Sequence, residues 1–127
     1  PYTMFASDSS VRVYKSGVPH PRGYGNSARF LARYVREQEQ FKLEESVRRM
    51  TSLPGKTFNL KNRGELKVGY WADIVVFDPA KVTDNATFRN PHQYATGFRY
   101  VLVNGDIVVE NDRHNSAGPG MIIRRGQ

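Results

Sequence analysis

The apolar period of this 127-residue chain changes near Gly64, and that change limits the fold beyond residue 25 to a helical stretch followed by strands. Upstream of it, Phe30, Leu31, Tyr34 and Val35 recur at helical spacing as a core stripe, with Asn26 or Ser27 placed to cap the helix. Arg29, Arg33 and Arg36 share another face, most simply a solvated one. A second helix spans roughly residues 43–50, with Leu43, Val47 and Met50 on one side. Glu44 and Glu45 open it and Arg48 and Arg49 close it, an order that complements the helix dipole. Pro54 suits the first turn of a third, short helix carrying Phe58. Downstream, Ile74-Val75-Val76-Phe77 lies between Asp73 and Asp78-Pro79 and is predicted to be a buried strand stopped by proline. Two apolar runs, 98–103 and 106–110, flank Asn104-Gly105, a hairpin signal because both turn positions need positive φ. The stretch 111–120 is polar, and Met121-Ile122-Ile123 is a candidate for one more short strand.

The first 25 residues carry the polar groups of most chemical interest. Tyr2-Thr3-Met4-Phe5-Ala6 is a β-prone apolar run that turns polar at Ser7-Asp8-Ser9-Ser10, so a buried strand is expected to end there. Residues 15–25 hold three Gly and two Pro and are expected to form a loop. Asp8 therefore sits where strand gives way to loop, and His20 and Arg22 lie on the loop beyond. Taken alone, Asp8 is most simply a turn residue, because Asp is common in turns. His92 and His114 fall in polar stretches whose plainest setting is a surface loop.

Composition narrows the classes further. The apolar share is 39%, with 12% aromatic and 24% charged residues, too apolar for a disordered chain. No run approaches the roughly 20 apolar residues that span a bilayer, so no membrane partner is expected. With no cysteine there is neither a disulfide framework nor a thiolate metal site, which makes the cytoplasm the default compartment. A net charge of +7 and a pI near 9.9 invite a nucleic-acid partner, yet the basic residues are dispersed along helices and not gathered in a tail. Nucleic acid is therefore not the expected ligand. Pro1-Tyr2-Thr3 has no initiator Met and reads as the middle of a longer chain.

Several motifs together resemble one family. Ser7-Asp8-Ser9, then Pro19-His20-Pro21-Arg22, then Leu43-Glu44-Glu45-Ser46-Val47-Arg48-Arg49-Met50-Thr51 resemble the last barrel strand and following helices of N-acyl-D-amino-acid deacylases. Gly69-Tyr70-Trp71-Ala72-Asp73-Ile74-Val75-Val76-Phe77-Asp78-Pro79 is similar to the signature with which many amidohydrolases re-enter their small β-domain. Val82-Thr83-Asp84-Asn85-Ala86-Thr87-Phe88, Asn90-Pro91 and Val103-Asn104-Gly105 are similar to the deacylase branch. The resemblance implies an α/β plus β architecture: a (β/α)₈ barrel with a β-sandwich built from both chain ends and zinc at the barrel mouth. A barrel alone takes about 250 residues. Residues 1–62 are then expected to be its last strand, loop and helices, and residues 63–127 the C-terminal strands of the β-sandwich.

The same resemblance implies a site. Asp8 would be both a zinc ligand and the carboxylate that moves a proton during amide hydrolysis. Arg22 would bind the carboxylate of an N-acyl-D-amino acid through its planar fork, and His20 would be the second substrate-binding residue, positioning and not ligating metal. The three histidines of the chain, His20, His92 and His114, lack the spacing of the family's other zinc ligands. The segment alone is thus expected to be inactive without the remainder of its parent chain, and to self-associate through faces that normally pack against it. A related cyclic-amide hydrolase of the hydantoinase or dihydroorotase kind shares the 69–79 signature and is one alternative. A non-catalytic basic binding module is the other.

Overall fold

The structure, a computed structural model, describes residues 2–124. Helix α1 covers Arg22–Arg29 and runs without a break into a π-helical stretch, Phe30–Glu37. Helices α2 (Leu43–Met50) and α3 (Ser52–Thr57) follow, then strands β1 (Ile74–Phe77), β2 (Phe98–Val103), β3 (Asp106–Glu110) and β4 (Arg113–His114). The change of period near Gly64 is therefore a change from helix to sheet.

Helix α1 starts at Arg22, several residues before the expected caps. Pro21 precedes it with φ −58°, already helical, so the prolyl ring presets the first turn. Asn26 is not a cap; its side-chain amide donates to the Ala6 carbonyl at 3.0 Å and ties down the N-terminal segment. Gly25 lies within the helix because the Asp84 carboxylate comes so close that a Cβ would sit 1.7 Å from its Oδ1. The π-helical stretch closes through Gln38 N–H to the Arg33 carbonyl at 2.9 Å. Its arginines do not form one solvated face: Arg36 Nη1 donates to the carbonyls of Val82 (2.7 Å) and Pro79 (3.0 Å), and Arg29 pairs with Asp84.

Helix α2 matches its expected range, and Glu45 accepts from Arg48 Nε at 2.7 Å and Arg49 Nε at 2.9 Å. These bonds, from Arg48 first and Arg49 second, hold the Glu45 carboxyl down at about 2. Its one fully buried side chain is Ser46, whose hydroxyl donates to the Lys42 carbonyl at 2.9 Å. Phe58 is not carried by α3; it caps the C-terminus and is exposed.

The sheet is antiparallel, in the order β1-β2-β3-β4. Asn104 (φ 52°) and Gly105 (φ 97°) turn the chain between β2 and β3 as expected. Asn111 (φ 48°) and Asp112 (φ 64°) make a second two-residue turn into β4, without a glycine to announce it. Strand β1 is an edge strand, and Val75 and Val76 are exposed, not buried. Residues 2–6 form no strand, because no partner ladder lies beside them among the described residues. Phe5 instead stacks on Phe30 at 4.5 Å and donates its N–H to the Arg49 carbonyl at 3.2 Å. Met121–Ile123 likewise forms no strand, and Ile122 is exposed.

The core joins both halves of the chain. Ala28 and Leu31 from the helical part enclose Val82, which is fully buried, with Val35, Leu43, Met50, Phe77, Ala95 and Phe98 packed around them. At the boundary near Gly64, Arg63 is nearly buried against Asp73, donates to Asn104 Oδ1 at 2.7 Å and lies over the Trp71 ring at 4.9 Å. No described helix is long and apolar enough to cross a membrane.

Candidate active site

Asp8 adopts a left-handed backbone, φ 49°, which is sparsely populated for a residue with a Cβ but tolerated best by Asp and Asn. The conformation is held from outside: Arg22 Nη2 donates to the Asp8 carbonyl at 2.6 Å and to its Oδ2 at 2.9 Å. The carboxylate itself is 89% exposed. A turn residue would direct its side chain to the adjacent backbone, whereas Asp8 offers its carboxylate outward and pairs with a side chain fourteen residues on.

His20 and Arg22 are linked directly, since the Arg22 N–H donates to His20 Nδ1 at 3.1 Å. The imidazole meets the Phe88 ring edge-on, with centroids 4.9 Å apart. The three residues singled out from the sequence thus come together, although Asp8 is separated from the other two by a loop. His20 and Arg22 line a cleft of about 580 Å³ whose apolar walls include Phe5, Phe30 and Phe88. A phenyl-lined cleft with an arginine and an imidazole at one side suits a small ligand that is partly apolar and partly anionic.

Two residues are not legible from the sequence in these roles, Asp84 in the cleft wall and His92 on the segment that carries His20 and Arg22. Asp84 also lines the cleft with its carboxylate only 9% exposed, accepting from the Ala86 N–H at 3.0 Å and lying 3.6 Å from Arg29. Apart from its place in the 82–88 motif, its signal is an Asp two residues before a backbone N–H it can bond, a pattern too common to single out. His92, expected in a surface loop, is half-buried and bonded through both ring nitrogens to the 15–24 segment. Tyr24, its partner, has its phenol pushed above the usual value by burial first and by Tyr94 and Tyr14 second. His114 does lie at the surface, where its Nδ1 accepts from the Ser116 N–H at 2.9 Å.

Among the described residues no group of three or more His, Asp or Glu side chains converges as a metal cage. Asp8 is one exposed carboxylate with an arginine partner. It could supply one oxygen ligand and no more.

Residues 3–109 match the sequence profile of the amidohydrolase family. The chain belongs to that family. It is 49% identical over 107 residues to the N-acyl-D-glutamate deacylase of Alcaligenes xylosoxydans xylosoxydans, an alignment covering 84% of this chain and 22% of that protein. It is similar to the crystal structure of a D-aminoacylase described as defining a novel subset of amidohydrolases, with a TM-score of 0.81 and 42% identity over 85% of this chain and 23% of that one. The N-acyl-D-glutamate deacylase of Bordetella bronchiseptica, solved with zinc and a phosphonate mimic of the tetrahedral intermediate, gives a TM-score of 0.71 at 44% identity over 87% of this chain and 22% of that one. The chain thus spans less than a quarter of the length of these relatives. Its sheet and helices follow the amidohydrolase fold of the D-aminoacylase structure.

Proposed function

We propose that this chain is the C-terminal part of a zinc-dependent amidohydrolase that cleaves N-acyl-D-amino acids to a carboxylate and a free D-amino acid. The observation that carries the proposal is the junction of Asp8, His20 and Arg22 beside an apolar cleft, with the Asp8 carboxylate open to solvent and not consumed by a self-sufficient fold. The likeness to deacylases over more than four-fifths of the chain supports it. In this view residues 1–62 are the last strand, loop and helices of a (β/α)₈ barrel, and residues 63–127 the C-terminal strands of its β-sandwich. The exposed Val75 and Val76 of β1, with Leu66 and Val68, are then faces that the remainder of the parent chain covers. Separated from it, the segment associates with itself through them.

Hydrolysis adds water to the amide carbonyl carbon, breaks the C–N bond and leaves the nitrogen with an added proton. Asp8 accepts the proton of the attacking water and passes it to the departing nitrogen. Among the described residues Arg22 gives only Nη2 to Asp8, so an N–H of Nε or of Nη1 remains to donate to one oxygen of the substrate carboxylate. His20 fixes the Arg22 backbone, and the phenyl walls receive the apolar portion of the substrate and exclude water. Zinc, present in the Bordetella relative, supplies Lewis acidity in such enzymes. The described residues do not hold it by themselves, so its other ligands belong to the rest of the parent.

The test is turnover by the full-length enzyme on N-acyl-D-glutamate and other N-acyl-D-amino acids, set against their L-enantiomers and cyclic amides. Asp8→Asn should lower kcat by about 10²–10⁴-fold, the usual worth of a positioned acid–base group. Its melting temperature should move little, because the ion pair it weakens, Asp8 with Arg22, is solvent-exposed. Preference for cyclic amides, or an Asp8→Asn enzyme of normal kcat, would refute the proposal.

A further inference from the structure

The segment that bears His20 and Arg22 does not hold itself in place. Residues 14–20 form no helix or strand, and Lys15 (φ 62°) and Gly17 (φ 66°) both turn with positive φ. For Lys15, which has a Cβ, that conformation is unfavourable unless neighbours impose it. The neighbour is His92. Its Nε2 lies 2.9 Å from the Gly17 carbonyl, its Nδ1 lies 3.3 Å from the Lys15 N–H, and the Tyr24 hydroxyl approaches Nδ1 at 2.8 Å. A carbonyl can only accept and a backbone N–H can only donate. These contacts therefore require the neutral ring with its proton on Nε2, leaving Nδ1 to accept.

Around this ring Tyr14 stacks on Tyr94 at 5.1 Å, and Tyr24 meets the rings of His92 and Tyr94 edge-on at 5.5 and 5.7 Å. Tyr24 lies in the same opening turn of α1 as Arg22. One imidazole thus fastens both ends of a span, the loop at residues 15 and 17 and the helix start at residue 24, and Arg22 and His20 lie between the fastenings.

We propose that His92 is a positioning residue of the deacylase site, a clasp that holds the 14–24 segment so that Arg22 can reach the substrate carboxylate. The proposal rests on the function argued above for Arg22. It goes further in assigning part of the site's geometry to a residue of the β-region that touches neither Asp8 nor the cleft.

The test uses the full-length enzyme with His92→Ala, His92→Gln and Tyr24→Phe, reading steady-state kinetics and, without substrate, hydrogen exchange of the peptide covering 14–20. His92→Ala should raise KM for an N-acyl-D-amino acid about ten-fold, the effect of about 1.4 kcal/mol, while kcat changes less. Exchange in 14–20 should quicken by a similar factor while protection in α2 stays constant. His92→Gln should restore both, because its amide oxygen and nitrogen are spaced much as the ring nitrogens are and offer one acceptor and one donor. Tyr24→Phe keeps the imidazole and removes one bond, and should quicken exchange less than His92→Ala does. Unchanged exchange in both His92→Ala and Tyr24→Phe, or no restoration by His92→Gln, would overturn the clasp. Quickened exchange in an enzyme that ignores N-acyl-D-amino acids would uphold the clasp and refute the deacylase function instead.

Discussion

Replacing Gly97 by alanine tests the packing that joins the sheet to the helical part. Gly97 precedes β2 with φ 96°, and an added Cβ would lie 2.5 Å from Val82 N, 2.6 Å from Val82 Cα and 2.7 Å from the Lys81 carbonyl carbon. All three are backbone atoms, so no side-chain rotation relieves the overlap. The methyl group must push the 81–82 turn away from β2. That separation strains the paired Thr83 N–H to Thr96 carbonyl and Thr96 N–H to Thr83 carbonyl bonds, both 3.0 Å, and the Asp78 N–H to Gly97 carbonyl bond at 3.0 Å. Two or three such bonds at about 0.5–1.5 kcal/mol each give about 1–4.5 kcal/mol. The positive φ adds about 1–2 kcal/mol for a residue with a Cβ, so the expected loss is about 2–6.5 kcal/mol before any loosening of Val82 in the core. Gly69→Ala is the control: φ is 84° there, but nothing lies within 4 Å of the added carbon, so it should bear the backbone cost alone. Urea unfolding of the full-length enzyme, with midpoints compared at a common slope, measures both. If Gly97→Ala shifts the midpoint no more than Gly69→Ala does, the close approach of β2 to the 81–82 turn is not what holds these parts together.

Three further outcomes are expected. Arg22→Lys should lower kcat/KM by about ten-fold or more, because a single ammonium nitrogen lacks the guanidinium's planar spread of donors, which reaches Asp8 on one side and a substrate carboxylate on another; equal kinetics in the two enzymes would contradict this. Arg36→Ala deprives the Pro79 and Val82 carbonyls of their donor and should cost about 1–3 kcal/mol in chemical unfolding. The Glu45 carboxyl is lowered from 4.5 to about 2 by its bonds from Arg48 and Arg49. A depressed folded-state value means stability that is complete above pH 4.5 and is lost as pH falls through about 2. Glu45→Gln should therefore narrow the gap in melting temperature to the parent protein over that window, and a gap constant with pH would show that the pair carries no linkage.

Features governed by local chemistry were legible in the sequence. The limits of α2 follow from charge order and period within eight residues, and the β2–β3 turn follows from Asn104-Gly105. What the sequence hid depends on distant partners. Helix α1 starts early because Pro21 presets its φ and because Asp84, some sixty residues away, needs the open side of Gly25. The strand expected over residues 2–6 and the burial expected of β1 both presuppose neighbouring strands, and an apolar run does not reveal whether its partner lies in the same stretch of chain. The second hairpin carries no such signal because Asn111-Asp112 reaches positive φ without glycine. At the site, the proximity of Asp8, His20 and Arg22 was suggested by family likeness, but the contacts of His92 and Asp84 with the helical part could not be read from spacing.

The chain divides by period near residue 63, yet the groups that position the proposed chemistry cross that boundary. Asp8, His20 and Arg22 all precede it, whereas Phe88 beneath the imidazole, Asp84 against Gly25 and His92 at the loop all follow it. Val82, fully buried, follows it too and packs on Ala28 and Leu31. A helical layer held to the sheet by this shared core has little freedom to shift, because close-packed interiors resist sliding by even a methylene. The connection between β1 and β2 is therefore more than a linker: residues 82–92 contact the opening of α1 through Asp84, Phe88 and His92, and α1 bears the Arg22 of the proposed site.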